Sequence, residues 1–170
     1  MPIVNPGRPY AQRLRKDLDE VRNELLETVT SLMPDELDWV PRENVEMKSY
    51  KQILQEIGTM EKLTLHMAQH GEELDWGTIQ QSLDKNDLRS LLAELGAIRA
   101  QTLAFLEICT EEQLQTPVPL SLEWQGYLHM PVVEPEELLR WIVRHEYYHV
   151  GQLVIYGWQR GKYDTSSTGG

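Results

Sequence analysis

Apolar residues recur at steps of three and four through four stretches of the chain, and each stretch reads as an amphipathic helix. The first runs from about Tyr10 to Met33, with Leu14, Leu18, Val21, Leu25, Val29 and Leu32 on one face and Arg15, Asp19, Arg22 and Glu24 beside it. Ser49 caps the second, where Ile53, Leu54, Ile57, Met60, Thr64 and Met67 form the stripe until Gly71 ends it. Asp84 or Asn86 caps the third, whose Leu88, Leu91, Leu92, Leu95, Ile98 and Phe105 or Leu106 continue to about Cys109. The fourth opens on Pro135, followed by Glu136 and Glu137, acids that suit a helix N-terminus. Its broad face holds Leu138, Trp141, Ile142, His145, Tyr148, His149, Gln152 and Ile155 before Gly161. On this pattern the two histidines share the stripe that faces the core.

Between the third and fourth helices, Val118 to Met130 alternates in short stretches around Gln125 and Gly126 and predicts a small β-hairpin, with Pro117, Pro119 and Pro131 limiting its pairing. The pattern predicts an all-α fold: a four-helix bundle with crossover connections and a small β-hairpin before the last helix. The long connection from Pro34 to Lys48 permits crossing between distant corners, and the up-down order is left open. Residues 1–163 read as one domain without internal repeats, and Asp164 to Gly170 as a polar, disordered tail.

Composition narrows the function classes. Sixteen basic residues against 27 acidic ones give a net charge of -11, which repels phosphate backbones and argues against nucleic-acid binding. Membrane binding has no support from the charge pattern. No apolar run reaches membrane length and Met1 to Tyr10 carries no leader pattern, so the expectation is a soluble, cytoplasmic protein. The single cysteine, Cys109, forms no internal disulfide and no dithiol centre, and reads as a small core or helix-end residue.

The strongest chemical signal is His145-Glu146-Tyr147-Tyr148-His149, an H-E-x-x-H run inside a helix. A four-residue step places both imidazoles on nearly one face while Glu146 points about 100° away. Two neutral imidazoles on an apolar stripe need partners for their nitrogens, and one metal ion supplies a partner to each. His66 and His70 repeat the spacing beside Gly71, Glu72 and Glu73, and read as a surface pair.

A zinc protease does not fit, because a zincin needs a third protein ligand and Val150 to Gly170 holds no histidine or glutamate. Nor does a di-iron bundle, since no second Glu-x-x-His occurs. The third ligand comes from another helix. Glu56, between Ile53 and Ile57 and one turn before Met60, borders the buried face of the second helix. His66 lies ten residues further, about 15 Å along the axis, so Glu56 or His66 can ligate, not both. From pattern alone, a solvated helix-edge carboxylate is the favoured reading of Glu56.

The chain resembles the DinB/YfiT-like family of small metal-binding four-helix bundles. The resemblance is carried by Ile53-Leu54-Gln55-Glu56-Ile57-Gly58-Thr59-Met60-Glu61 and by His145-Glu146-Tyr147-Tyr148-His149-Val150-Gly151-Gln152-Leu153, with Gly157 and Gly161. It implies a divalent ion held by one residue of the second helix and two histidines of the fourth. That gives metal ligands Glu56, His145 and His149, with Glu56 standing where the family carries histidine. Zinc or nickel is the metal the resemblance implies, with iron or manganese as alternatives. Gly151 is then read as admitting a neighbouring helix, and Gln152 as a hydrogen-bond donor behind the ligands or a buried amide.

Two imidazoles and a carboxylate leave a position for water or for a substrate thiolate. The function expected is a metal-dependent hydrolase or a low-molecular-weight-thiol transferase acting on a small-molecule substrate. Catalytic residues stay unassigned, since Glu146, Tyr147 and Tyr148 are equally explained as proton carriers or as packing residues. The alternative is a non-catalytic helical dimerisation module with a structural or vacant metal site. Five tryptophans and seven tyrosines could line its interface, and a homodimer is expected. An accessible pocket favours the enzyme; a closed or dispersed ligand set favours the module.

Overall fold

A computed structural model describes residues 7–41 and 46–163; the tail expected at Asp164 to Gly170 and most of Met1 to Tyr10 lie outside the described residues. The helices are α1 (Pro9–Val29), α2 (Tyr50–His70), α3 (Trp76–Ser82), α4 (Leu88–Ile108), α5 (Glu111–Gln115), α6 (Leu122–Leu128) and α7 (Pro135–Gln159). The long ones, α1, α2, α4 and α7, are the four read from the periodicity and form the bundle. α1 packs on α7 and α4, and α2 packs on the same two. α1 and α2 therefore stand at opposite corners, and the chain crosses the bundle end between α1 and α2 and again between α4 and α7.

Local chemistry sets the helix ends. Ser49 and Gln52 make a reciprocal capping box at the start of α2, and Gly71 closes its end at φ 66°, a left-handed conformation that favours glycine. At α4 the cap is Asp87, which accepts from the Ser90 amide at 2.8 Å, and not Asp84 or Asn86 as the sequence suggested. Asp87 directly precedes the first helical residue, where a side-chain oxygen reaches the orphan amides. α1 has no side-chain cap of its own; the Glu111 carboxylate of α5 accepts from the amides of Tyr10 and Ala11 at 3.1 and 3.2 Å. Arg8 donates to the carbonyls of Leu106, Glu107 and Cys109 at the end of α4. One end of the bundle is thus tied by charges placed on helix termini.

The small hairpin expected before the last helix is present, but its turn is not where the pattern put it. Val118–Pro119 pairs antiparallel with Val132–Val133, and Gln125 and Gly126 lie inside α6 rather than at a turn. Ser121 accepts from the Trp124 amide and starts that helix, while the prolines hold the ladder to two residues a side.

The buried face of α7 is also turned from the one expected. Tyr148 and Ile155 are 69% and 56% exposed, whereas Leu139, Val143, Glu146, Val150 and Leu153 are buried. Gly151 faces open space and admits no helix. The close approach is at Gly58 of α2, where a Cβ would lie 2.5 Å from a Leu95 methyl of α4. Cys109 is buried at the end of α4, and burial pushes its thiol pKa up. No described helix is long and apolar enough to cross a membrane.

Four charges in the core explain the rotation of α7. Arg22 of α1 donates to Glu146 at 2.7 Å and to Glu61 of α2 at 2.9 Å. Arg99 of α4 donates to Glu61 at 2.7 Å and also to Glu146. Thr102 donates to Glu61 at 2.8 Å, and the leftover guanidinium donors reach the carbonyls of Leu95 and Leu18. Burial opposes ionisation of Glu61, and Arg99 with Arg22 outweighs it, holding the carboxyl below its usual range. Each long helix supplies one charge, and the signs cancel.

Candidate metal centre

His145 and His149 lie on consecutive turns of α7, and their Nε2 atoms face each other 3.2 Å apart. Glu56 reaches in from α2, with its Oε1 3.9 Å from His149 Nε2. One ligand atom from each of the three residues lies within 4.8 Å of the others. The Glu56 side chain is 19% exposed, so it is not the freely solvated helix-edge carboxylate that pattern alone favoured. His66 stands apart with His70, their ring centroids 4.6 Å from each other.

Polarity in this site is fixed from a backbone group outward. The Tyr156 hydroxyl donates to the Lys48 carbonyl at 2.8 Å, so it is left to accept from the Gln152 amide nitrogen at 3.3 Å. That turns the Gln152 carbonyl oxygen toward His149 Nδ1 at 3.1 Å. An amide oxygen accepts and does not donate, so His149 Nδ1 carries the proton and Nε2 keeps its lone pair. Gln152 thus touches a ligand as expected, but as an acceptor and not a donor.

Both imidazoles are held neutral at neutral pH. Burial, helped by the neighbouring His149, pushes His145 down to about 4, and burial lowers His149 as well. His149 Nε2 thus turns its lone pair on His145 Nε2 at 3.2 Å, a contact that either a proton on His145 Nε2 or a cation between the rings satisfies. Bonds of about 2.0–2.2 Å would place tetrahedral ligand atoms roughly 3.3–3.5 Å apart. The 3.2 Å nitrogen pair matches that edge, and on the His149 side Glu56 Oε1, at 3.9 Å, stands a few tenths of an ångström wide of it. The donor set fits a divalent ion of the zinc or nickel type. Lys48 pairs with Glu56 Oε2, which leaves Oε1 for the histidine side.

The cluster sits in the wall of an open cleft of about 570 Å³. Glu46, Met47, Lys48, Tyr127, Trp141, Arg144, Tyr148 and Gln152 line the rest of it. Of these, Lys48, Tyr127 and Arg144 escaped the reading of the sequence, since segments far apart in the chain bring them together. Glu146 takes no part. It points to the opposite side of α7, 1% exposed and bonded to two guanidiniums, so it has no access to a substrate in the cleft. Tyr147 lies outside the cleft lining, with its hydroxyl 3.5 Å from Glu24.

A sequence model of the DinB superfamily matches residues 17–153. Among solved structures, the chain is similar to YfiT from Bacillus subtilis, described as a probable metal-dependent hydrolase with an unusual four-helix bundle topology. The TM-score is 0.69 at 15% sequence identity, covering 89% of this chain and 87% of that one, a likeness that carries the fold. No curated protein matches.

Proposed function

Because this chain belongs to the DinB superfamily, we propose that it is a metal-dependent hydrolase whose divalent ion is held by Glu56, His145 and His149. The carrying observation is the convergence of two imidazole nitrogens and one carboxylate oxygen at the wall of an open cleft. The description of YfiT as a probable metal-dependent hydrolase supports the same direction. Zinc or nickel suits two imidazoles and a carboxylate.

When bound, the ion would acidify water and polarise a substrate carbonyl or phosphoryl oxygen. The chain supplies the rest. Gln152 and Tyr156 hold the His149 tautomer, and Lys48 holds one oxygen of Glu56. Lys48 and Arg144 on the cleft rim offer positive charge to an anion developing on substrate. Glu146 is excluded as the general base of a protease-like mechanism by its two buried arginine partners.

An open cleft and three protein donors favour an enzyme over a structural clip, which would close its site with four ligands. Transfer to a low-molecular-weight thiol would use the same open position with a thiolate in place of water. The test is elemental analysis of protein purified without an affinity tag, with ester and amide hydrolysis assayed before and after chelation. Stoichiometric metal in the wild type, lost in both His145→Ala and Glu56→Ala together with hydrolysis, is the expected result. Metal retained in both variants would overturn the ligand set, and turnover that demands added thiol would replace hydrolysis with transfer.

A further inference from the structure

A second cleft of about 580 Å³ lies beside the candidate metal centre, and the two share Tyr127 in their walls. Its sides are Trp76 of α3 and Trp124 and Tyr127 of α6, and Met60, Leu63 and Leu74 line it as well. Among the described residues, the charged ones lining it are Glu73, Asp75 and Glu123, with no lysine or arginine. Its neighbour carries both signs, with Lys48 and Arg144 beside Glu46 and Glu56 around the histidines.

Rings bridge the two clefts. Tyr127 packs edge-on against Trp124 at 6.1 Å and against Trp141 at 5.4 Å, and Trp141 lies 6.5 Å from His145. A molecule laid along this file meets aromatic faces and carboxylates alone at one end, and imidazoles among charges of both signs at the other. Aromatic faces and carboxylates together select a cation with an apolar body, because the ring quadrupole and the acid attract the same charge. Asp75 accepts from Thr78 and Glu73 from Ser121, neutral donors that leave both carboxylates negative, so a cation is drawn to this end and an anion repelled.

We propose that the second cleft binds the apolar, protonated-amine part of the substrate, whose electronegative reacting group meets Glu56, His145 and His149. The link to the reacting group rests on the hydrolase reading above, whereas recognition of the amine does not need a metal. Substrates of this enzyme are thereby amine-bearing esters or amides whose charge lies at the end away from the bond to be cleaved.

The full chain, metal-free and zinc-loaded, is titrated with phenethylamine and with phenethyl alcohol while amide chemical shifts are followed by NMR. The amine is expected to bind about tenfold more tightly than the alcohol, with shifts centred on Trp76, Trp124 and Tyr127. Removing zinc leaves that ratio unchanged. Glu123→Gln and Tyr127→Ala, both at exposed positions, each lower the ratio at least threefold without disturbing the remaining spectrum. Equal binding of amine and alcohol, or a ratio untouched by both substitutions, overturns the proposal even where zinc binds normally. An intact amine preference in a wild-type protein that takes up neither zinc nor nickel overturns the hydrolase reading instead, and with it the link between the clefts.

Discussion

The two sides of α7 treat neighbouring residues of one motif in opposite ways. On the inner side, Glu146 meets Arg22 and Arg99, and every charge in that cluster has a counter-charge within hydrogen-bond reach. On the outer side, His145 and His149 face each other with a carboxylate nearby, and the cleft stays open around them. The closed cluster is complete within the chain and holds four helices together. The open one converges donors on a point that no group of the described residues fills, which is the signature of a binding site. A buried titratable residue therefore indicates function by what it lacks, not by being buried.

Breaking the inner cluster has the largest expected effect. Glu146→Ala leaves two buried guanidiniums against one carboxylate, and removing one partner of a buried ion network costs about 3–5 kcal/mol. Urea unfolding of the metal-free protein reads this directly. A loss below about 1 kcal/mol would mean that water reaches the arginines and that the two sides of α7 differ less than their geometry indicates.

The outer cluster should respond through ligand and hardly through the fold. Zinc at one hundred times its dissociation constant stabilises the wild type by about 2.7 kcal/mol, and His145→Ala should abolish that gain. Without metal, the same variant should unfold within about 1 kcal/mol of wild type, since His145 is only part-buried and bonds to no backbone group among the described residues. A large metal-free loss would make His145 a structural residue.

Acid separates the two sides by pH window. In the metal-free protein, the folded pKa of His145 lies near 4 against an ordinary 6.5. Between those values the unfolded chain binds more protons, so stability falls as pH drops from 6.5 to about 4. Glu61 has a depressed folded pKa, so its contribution is complete above its ordinary 4.5 and is lost as pH falls through the lower folded value. Stability against pH should thus show two limbs, and His145→Ala should weaken the upper while leaving the lower. A single limb unchanged by that substitution would refute the separation.

Much of this arrangement could be read from the sequence. Long 3.6-residue periodicities gave four helices, and Ser49 with Gly71 bounded α2. Helices of five to seven residues, α3, α5 and α6, span too few turns for a periodicity to emerge. The inner cluster left a trace that apolar counting misses. Arg22 continues the step-of-four ladder Leu14 and Leu18, Glu61 follows Ile53 and Ile57, Arg99 follows Leu91 and Leu95, and Glu146 follows Leu138 and Ile142. One charge per ladder, two of each sign, is a readable pattern for a buried network. The face of α7 was misplaced because Glu146 counted as polar and Tyr148 and Ile155 as apolar, although the carboxylate is neutralised inside and the other two look outward. At the site, the histidine pair stood out by spacing, whereas Glu56 came from family resemblance, and Lys48, Tyr127 and Arg144 depend on tertiary packing.

The smallest effect tests the finest part of the contrast, the orientation of a single amide. Tyr156→Phe removes one hydroxyl and keeps the ring that packs against Trp39 and Tyr50 at 5.3 and 5.5 Å. Without that hydroxyl, nothing fixes which end of the Gln152 amide faces His149. With the amide nitrogen turned inward, Nδ1 must accept, and the proton moves to Nε2, the atom that faces Glu56 and His145. A protonated Nε2 cannot bind a metal, so each binding event must first turn the amide back. Groups behind metal ligands typically shift affinity 10–100-fold, and loss of this more distant one should weaken zinc binding about tenfold. Competition against a chromophoric chelator measures it, with stability held within about 1 kcal/mol by the conserved ring packing. Affinity unchanged within twofold would mean that His149 chooses its tautomer without Gln152, and the chain from the Lys48 carbonyl to the ligand would have no functional role.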